Sequence, residues 1–414
     1  MNIGTKTQIW LVLILVLSLL LGGIYVLFFP QHEMRPGMDS FVDALGYDAI
    51  GWNLAQGNGF SRDPPIPTPE RAPVYPFFLA AVYFFFGHNY TAARLAQVVI
   101  GALTCLVIYF IGKEIYNERI GLLAALAAAV YPQFIVYSGC LLSERVDIFL
   151  LSLAMLFGVK AAKRSSIRLY FASGALLGAA TLCRPVTMFF PFFLFLALVI
   201  LYKNKRTAIM YSLAFLLATV LVIAPWTIRN YFAFDTFLPV SIYGGRNLLQ
   251  GTYREDDQWY LQQAVAEHYA SIVKDIDDPI EADGLCFKEA VKRIMEDPIG
   301  YLRLVARRMT KMWIRPVGLG VMETKTTGFI RLSAQILLYS EQFLILTLAL
   351  LGLIHSRSNR LIIPLVLILV YFMFAHSITH FEPRYLLPVM PYVLILAAAG
   401  FNAALSLYRG HSKA

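Results

Sequence analysis

The stretch PVYPFFLAAVYFFFG, residues 73–87, is as apolar as a membrane span but short for one, and whether it crosses decides the topology of everything after it. A helix rises about 1.5 Å per residue and a hydrocarbon core is about 30 Å thick, so a span asks for about 20 residues. With prolines at positions 73 and 76, this segment falls short of that length.

The rest of the chain offers longer candidates. Apolar runs cover Ile9 to Phe29 and about residues 90–112, 120–138, 146–162, 168–184, 186–202, 208–226, 334–354, 361–377 and 387–407, which makes about ten spans. No small-residue cleavage site follows the first run, which therefore reads as a retained span. The chain has 414 residues, 58% of them hydrophobic and 15% charged, with a mean hydropathy of +0.62. These values imply an all-α polytopic membrane protein and exclude an ordinary soluble domain.

Charge settles the role of residues 73–87. If they do not cross and the N-terminus is cytoplasmic, Lys113 and Arg119 face the cytoplasm. So do Lys160, Lys163, Arg164 and Arg168, then Lys203, Lys205 and Arg206, and finally Arg357, Arg360, Arg409 and Lys413. If they do cross, every one of these clusters moves outside, against the positive-inside rule. Residues 73–87 are therefore expected to lie in, or re-enter, the outer interface of the plasma (inner) membrane, with both termini cytoplasmic. Residues 30–72, the Ser143-Glu144 turn, Arg184, residues 229–331 and the turn from His380 to Tyr385 then share the outer, periplasmic face. The net charge of +9 belongs to these orienting clusters, so nucleic acid is not an expected partner. Cys105, Cys140, Cys183 and Cys286 form no CxxC and no metal-ligand spacing, and a disulfide among them stays open.

The outer stretch DALGYDAIGWNLAQGNGFS, residues 43–61, carries Asp43 and Asp48 on what can be an amphipathic helix. Five residues apart, the two acids do not share a face well, so at most one is central. Glu144 is a second outer acid, in a short turn close to the membrane, where a carboxylate calls for a partner, water or a function. A pair with neighbouring Arg145, or interfacial hydration, is the plain alternative. Arg71, Arg184, Arg229 and Arg384 all approach the same face, and a guanidinium fork suits phosphate oxygens. One such arginine usually snorkels or pairs with an acid. Four together point to an anionic ligand. His380, near Arg384, suits either phosphate donation or organisation of the turn.

Residues 229–331 read as helices that start at Asp278-Pro279 and Asp297-Pro298, each an acid cap before a proline at the first helical position. Within the second, Arg303, Arg307, Lys311 and Arg315 recur every fourth residue, as on an anionic leaflet or equally on a solvated basic face. Gly244-Gly245 reads as a tight turn; there is no P-loop and no HExxH.

These motifs, in their order, resemble the bacterial GT-C membrane glycosyltransferases. The series is DALGYDAIGWNLAQGNGFS, RAPVYPFFLAAVYFFFG, YPQFIVYSGCLLSERVDIFLL, LGAATLCRP, APWTIRNYFAFDTFLPVS with GGRNLLQG, and HFEPRYLLPVMPY. It is similar to the protein O-mannosyltransferases, the lipid A aminoarabinose transferase and the lipopolysaccharide galacturonosyltransferases. The resemblance implies a GT-C-like transmembrane module over residues 1–228, including the outer loop 30–89. An outer-face helical segment over 229–331 and C-terminal transmembrane helices over 332–414 complete the expected organisation. It also implies transfer of a sugar from a polyprenyl-phosphate carrier to a lipid, glycan or protein acceptor. Asp43 takes the place of the acid acting on the acceptor and Glu144 that of the second outer acid. Arg71 and Arg384 match the carrier-phosphate positions, with Arg184, Arg229, His380 and Tyr385 beside them. Tyr47 and Asp48 are secondary candidates. Ala44 stands where some members carry an adjacent second acid, which weakens the case for a divalent cation, and no other cofactor is implied. Inversion at the sugar follows from one base and direct attack, and rests on the resemblance. Two rival classes remain. A transporter or flippase of a lipid-linked anion also needs arginines near acids, although transporters gather ionisable groups near the midplane. A noncatalytic scaffold leaves the shared face unexplained.

Overall fold

A computed structural model of the chain describes residues 4–29, 39–253, 266–314, 328–379 and 381–411. The described residues form α-helices and short 3₁₀ turns, with a single isolated β-bridge between Asp63 and Ile66. The chain is an all-α polytopic membrane protein.

Helices α1 (Thr5–Phe28), α2 (Asp39–Ala55), α3 (Val74–Phe86) and α4 (Tyr90–Ile115) are followed by α5 (Glu118–Val130), α6 (Pro132–Ser138), α7 (Glu144–Arg164) and α8 (Ile167–Thr181). Then come α9 (Phe190–Leu201), α10 (Lys205–Phe234), α11 (Gly244–Gln250), α12 (Pro279–Glu296), α13 (Pro298–Ile314), α14 (Gly328–His355), α15 (Ile363–Ile378) and α16 (Met390–His411). Their starts follow local chemistry. The side chains of Asn89, Asn117, Ser166, Asn204 and Asp278 each accept a backbone N–H from the first turn of the helix that follows.

Among the described residues six helices are long and apolar enough to cross a membrane, seven if α5 and α6, bent by 53° at Tyr131, count as one span. The remaining expected spans fall on α7, α8 and the apolar stretch Pro185–Leu201, so each apolar run of the sequence does become helix. The full count of ten is not reached by length and composition. The stretch Pro185–Leu201 is short, α8 has 15 residues, and α7 carries Glu144, Arg145 and Asp147 buried in its first turn. Helices surrounded by protein tolerate polar residues that lipid-facing ones do not.

Contacts between helix ends show how the bundle is threaded. At one end Thr7 Oγ1 donates to Glu118 Oε2 (2.7 Å), Lys113 Nζ pairs with Glu118 Oε1 (2.6 Å), Lys163 Nζ pairs with Glu114 Oε2 (3.1 Å), and Asn359 Nδ2 donates to the Ile115 carbonyl (3.0 Å). The basic clusters around Lys113, Lys163 and Arg360 therefore share that end. Both ends of α3 lie at the opposite one. Val74 N donates to Leu182 O at the end of α8 (3.0 Å), and Tyr83, near the other end of α3, donates to Asp48 (2.7 Å) close to the start of α4. Short α3 runs along the bundle end instead of through it, as its length requires.

Small residues let helices meet closely. A Cβ on Gly352 of α14 would stand 1.9 Å from Leu396 O of α16, and one on Gly400 would stand 1.9 Å from Leu348 O. The segment around α11 to α13 is fastened differently. Arg308 of α13 is 1% exposed. Its Nη1 donates to Ser377 O (3.2 Å) and Thr379 O (3.1 Å), and its Nη2 to Gly251 O (2.6 Å) and Tyr253 O (3.2 Å). One side chain thus satisfies carbonyls at the ends of both α11 and α15. On the exposed side of α13, Arg303, Arg307 and Lys311 form the basic stripe seen in the sequence, while Val305 and Met312 are buried.

Replacing Arg308 by Met should cost on the order of 3 kcal/mol, because four buried carbonyls lose a charged donor at once. Thermal unfolding of the purified protein in detergent checks this, and an unchanged midpoint would contradict the clasp.

Candidate active site

Helix α2 presents its two acids to different neighbours. Asp43 faces a pair of arginines from distant parts of the chain. Arg71 Nη1 lies 2.9 Å from Asp43 Oδ1, and Arg384 Nη2 lies 2.9 Å from Asp43 Oδ2. Asp48, one turn and a half further on, is buried and points into a group of aromatic rings. Its Oδ1 accepts from Tyr83 OH (2.7 Å) and lies 2.8 Å from His88 Nε2, and its Oδ2 accepts from Tyr90 OH (3.0 Å). Trp52 stacks on His88 at 4.7 Å. Asp48 therefore fastens α2 to α3 and α4.

The second acid of the site opens α7. Glu144 is 1% exposed, 2.8 Å from Arg184 Nη1 and 3.8 Å from Arg384 Nη1. These are ion contacts without hydrogen-bond alignment, since neither Glu144 oxygen has a hydrogen-bond partner among the described residues. The neighbouring Arg145 does not pair with it; its guanidinium lies 5.1 Å over the Phe134 ring. Arg184 closes α8 just before Pro185, and Arg384 sits in the 3₁₀ turn Pro383–Val389, where Pro383 starts the turn at the position that needs no N–H. Arg384 Nε also binds Glu382 Oε2 at 2.6 Å. Burial pushes the Asp43 carboxyl up, but Arg384 and Arg71, against the opposing charge of Glu382, hold it below the ordinary aspartate range. The link to the arginines is thus fully made above the usual aspartate pKa and is lost as pH falls through the lower, folded value.

Aromatic rings fix the arginines. Arg71 lies 5.1 Å over Tyr47 and 5.3 Å over Tyr243. Arg184 and Arg384 lie 5.5 Å and 5.6 Å over Tyr385, which stacks in turn on His376 at 4.7 Å. Tyr47 OH donates to Ser143 Oγ (3.4 Å), which also accepts from Arg184 Nη1 (3.4 Å).

The structure thus brings together Asp43, Glu144, Arg71, Arg184, Arg384, Tyr47 and Tyr385. Arg229 stands apart. Its guanidinium is caged by Trp226 (4.8 Å), Phe234 (5.3 Å) and Phe60 (5.4 Å), and it forms no ion pair among the described residues. Its Nη2 donates to Phe60 O, which ties the loop after α2 to α10. His380 lies outside the described residues. Gly244-Gly245 is not a free turn: it opens α11, whose Gly245 and Arg246 N–H groups donate to the Asp283 carboxylate (3.1 and 2.9 Å). A Cβ on Gly245 would stand 1.9 Å from Asp283 O.

Residues not singled out in the sequence also belong here. Glu382 is bound to Arg384, and its place in HFEPRY two residues earlier was a usable signal. Tyr243, at φ +92°, holds a left-handed backbone that a bulky residue adopts only under constraint. Asp147, one turn into α7 from Glu144, is fully buried, and neither of its oxygens has a hydrogen-bond partner among the described residues. Its spacing from Glu144 was legible; its burial was not. All four cysteines are buried. Among the described residues no group of three or more His, Cys, Asp and Glu side chains converges as metal ligands.

Residues 70–228 match the family described as dolichyl-phosphate-mannose-protein mannosyltransferase. No curated protein gives a sequence match. Among solved structures, the archaeal oligosaccharyltransferase AglB from Archaeoglobus fulgidus, in complex with an inhibitory peptide and a dolichol-phosphate, superposes with a TM-score of 0.60 at 14% identity over 99% of this chain. ArnT from Cupriavidus metallidurans, bound to undecaprenyl phosphate, does so with a TM-score of 0.56 at 15% identity over 95%. The fold is that of the GT-C membrane glycosyltransferases. The chain spans 52% of the AglB chain and 60% of the ArnT chain. In the GT-C fold seen here, the arginine and carboxylate cluster lies where α2, α3, α7, α8 and the Pro383–Val389 turn converge.

Asp48→Ala should lower the thermal midpoint, since it leaves the buried Tyr83 hydroxyl and the partly buried Tyr90 hydroxyl without their acceptor, at about 1–3 kcal/mol for a fully buried orphan. Full stability in the variant would show that Asp48 is not the fastener of α2.

Proposed function

We propose that the protein is a glycosyltransferase that moves a sugar from a polyprenyl-phosphate carrier to an acceptor on the outer face of the plasma membrane. The observation that carries this reading is the Asp43 carboxylate held between Arg71 and Arg384, beside the buried Glu144–Arg184 pair. Guanidinium forks bind phosphate oxygens and the carboxylate takes a proton, which are the two tasks such a transfer sets. The match of residues 70–228 and the GT-C fold support it.

In the proposed step the acceptor hydroxyl oxygen attacks the anomeric carbon. The bond from that carbon to the carrier phosphate breaks, its electron pair leaving with the phosphate, and the acceptor's proton passes to Asp43. Arg71 and Arg384, with Arg184 and Tyr385 behind them, stabilise the charge that grows on the leaving phosphate. Glu144 holds Arg184 and Arg384 in place. One base and direct attack invert the anomeric centre. The sugar is a hexose or pentose type, and the acceptor a lipid, glycan or protein chosen by the segment around α11 to α13. The transporter reading gains nothing from the structure, because the paired acids and arginines sit at helix ends of one bundle face.

The test is transfer by purified protein in nanodiscs from labelled polyprenyl-phosphate sugars to a panel of acceptors. Asp43→Asn should lose about 10²- to 10⁴-fold in rate, and Arg384→Gln about 10²- to 10³-fold. Transfer by Asp43→Asn at the parent rate would remove the base.

A further inference from the structure

Each arginine of the site is already bound to a carboxylate. Arg71 holds Asp43 (2.9 Å); Arg384 holds Asp43 (2.9 Å) and Glu382 (2.6 Å) and approaches Glu144 (3.8 Å); Arg184 holds Glu144 (2.8 Å). The carboxylates in contact with these three guanidinium groups, Asp43, Glu144 and Glu382, match them one for one before any ligand arrives. A phosphate brought to it gains little unless one carboxylate lets go.

The geometry points to Asp43 as the one that does: we infer that the carrier phosphate binds by displacing Asp43 from Arg71 and Arg384, so that loading the carrier is what frees the base. This rests on the function proposed above. Contacts and exposure together decide which acid yields: Glu382, 21% exposed, binds the Nε edge of Arg384, whereas Asp43 holds Arg71 Nη1 and Arg384 Nη2 at once, so its release frees donors on both arginines. The Asp43 side chain is 28% exposed, whereas Glu144 is 1% exposed and cannot reach water without opening the bundle. Arg71 and Arg384 keep 11% and 8% exposure.

Two consequences follow. With Arg71 on Oδ1 and Arg384 on Oδ2, Asp43 has a cation on each oxygen and is a poor acceptor for a hydroxyl proton. Once phosphate takes those donors, Asp43 is released beside it as a stronger base. The carrier therefore binds before the acceptor can be activated, and an acceptor that reaches the site first meets a neutralised base.

The exchange makes a prediction opposite in sign to that for an ordinary site residue. Removing the Asp43 charge should tighten carrier binding, because nothing then competes for the two arginines. Full-length protein in nanodiscs is titrated with a polyprenyl phosphate that carries no sugar. Asp43→Asn and Asp43→Ala should each bind it about tenfold more tightly than the parent. Unchanged or weaker binding by a folded variant overturns the exchange and leaves the proposed function standing. Binding by none of the proteins overturns the proposed function itself. In the parent, which needs no substitution, infrared difference spectra on adding the carrier should show a carboxylate stretch moving away from its arginine-paired position. A silent spectrum at saturating carrier overturns the exchange.

Discussion

Arg384 joins three parts of the chain that are remote in sequence: Asp43 on α2, Glu144 at the start of α7 and Glu382 in its own turn. A guanidinium has five donors in one plane, so it can bridge carboxylates that would repel each other. Without it, Asp43 and Glu144 would converge as like charges with little water around Glu144. Buried ion pairs seldom add net stability, since desolvation offsets much of the attraction. Their retention here is better explained by what they prepare, a preorganised set of cations at the end of a membrane bundle.

That arrangement depends on packing some distance away. Arg308 binds carbonyls at the ends of α11 and α15. The first of these helices begins next to Tyr243, against which Arg71 rests, and the second ends just before the turn that carries Arg384. Aspartate 48 does the same for α2 by anchoring it to Tyr83, His88 and Tyr90. The site is therefore positioned by polar clasps on neighbouring elements, while the bundle below it is held by close approaches such as Gly352 on α16.

Much of this was legible in the sequence because its determinants are local. Apolar runs set the helices, prolines and capping acids set their starts, and the length and charge context of residues 73–87 placed α3 along the bundle end. The five-residue spacing of Asp43 and Asp48 already turned the two acids toward different neighbours. What escaped depends on tertiary contact. Arg229 looked like its fellow arginines until Phe60, Trp226 and Phe234 were seen to enclose it. Nothing local in α13 distinguishes Arg308 from its exposed neighbours Arg303 and Arg307. The positive φ of Tyr243, beside the start of α11 that Asp283 caps, has no local signal in the sequence. The helices short of span length, α8 and α9, show why a hydropathy count and a fold count differ.

The central claim is that Arg71 and Arg384 form the seat of a carrier phosphate beside Asp43. An electron cryomicroscopy structure of the protein in nanodiscs with a saturating polyprenyl phosphate tests it most directly. The account predicts phosphate density within hydrogen-bond distance of both guanidinium groups. Density bound elsewhere, with both arginines still on Asp43, would contradict it.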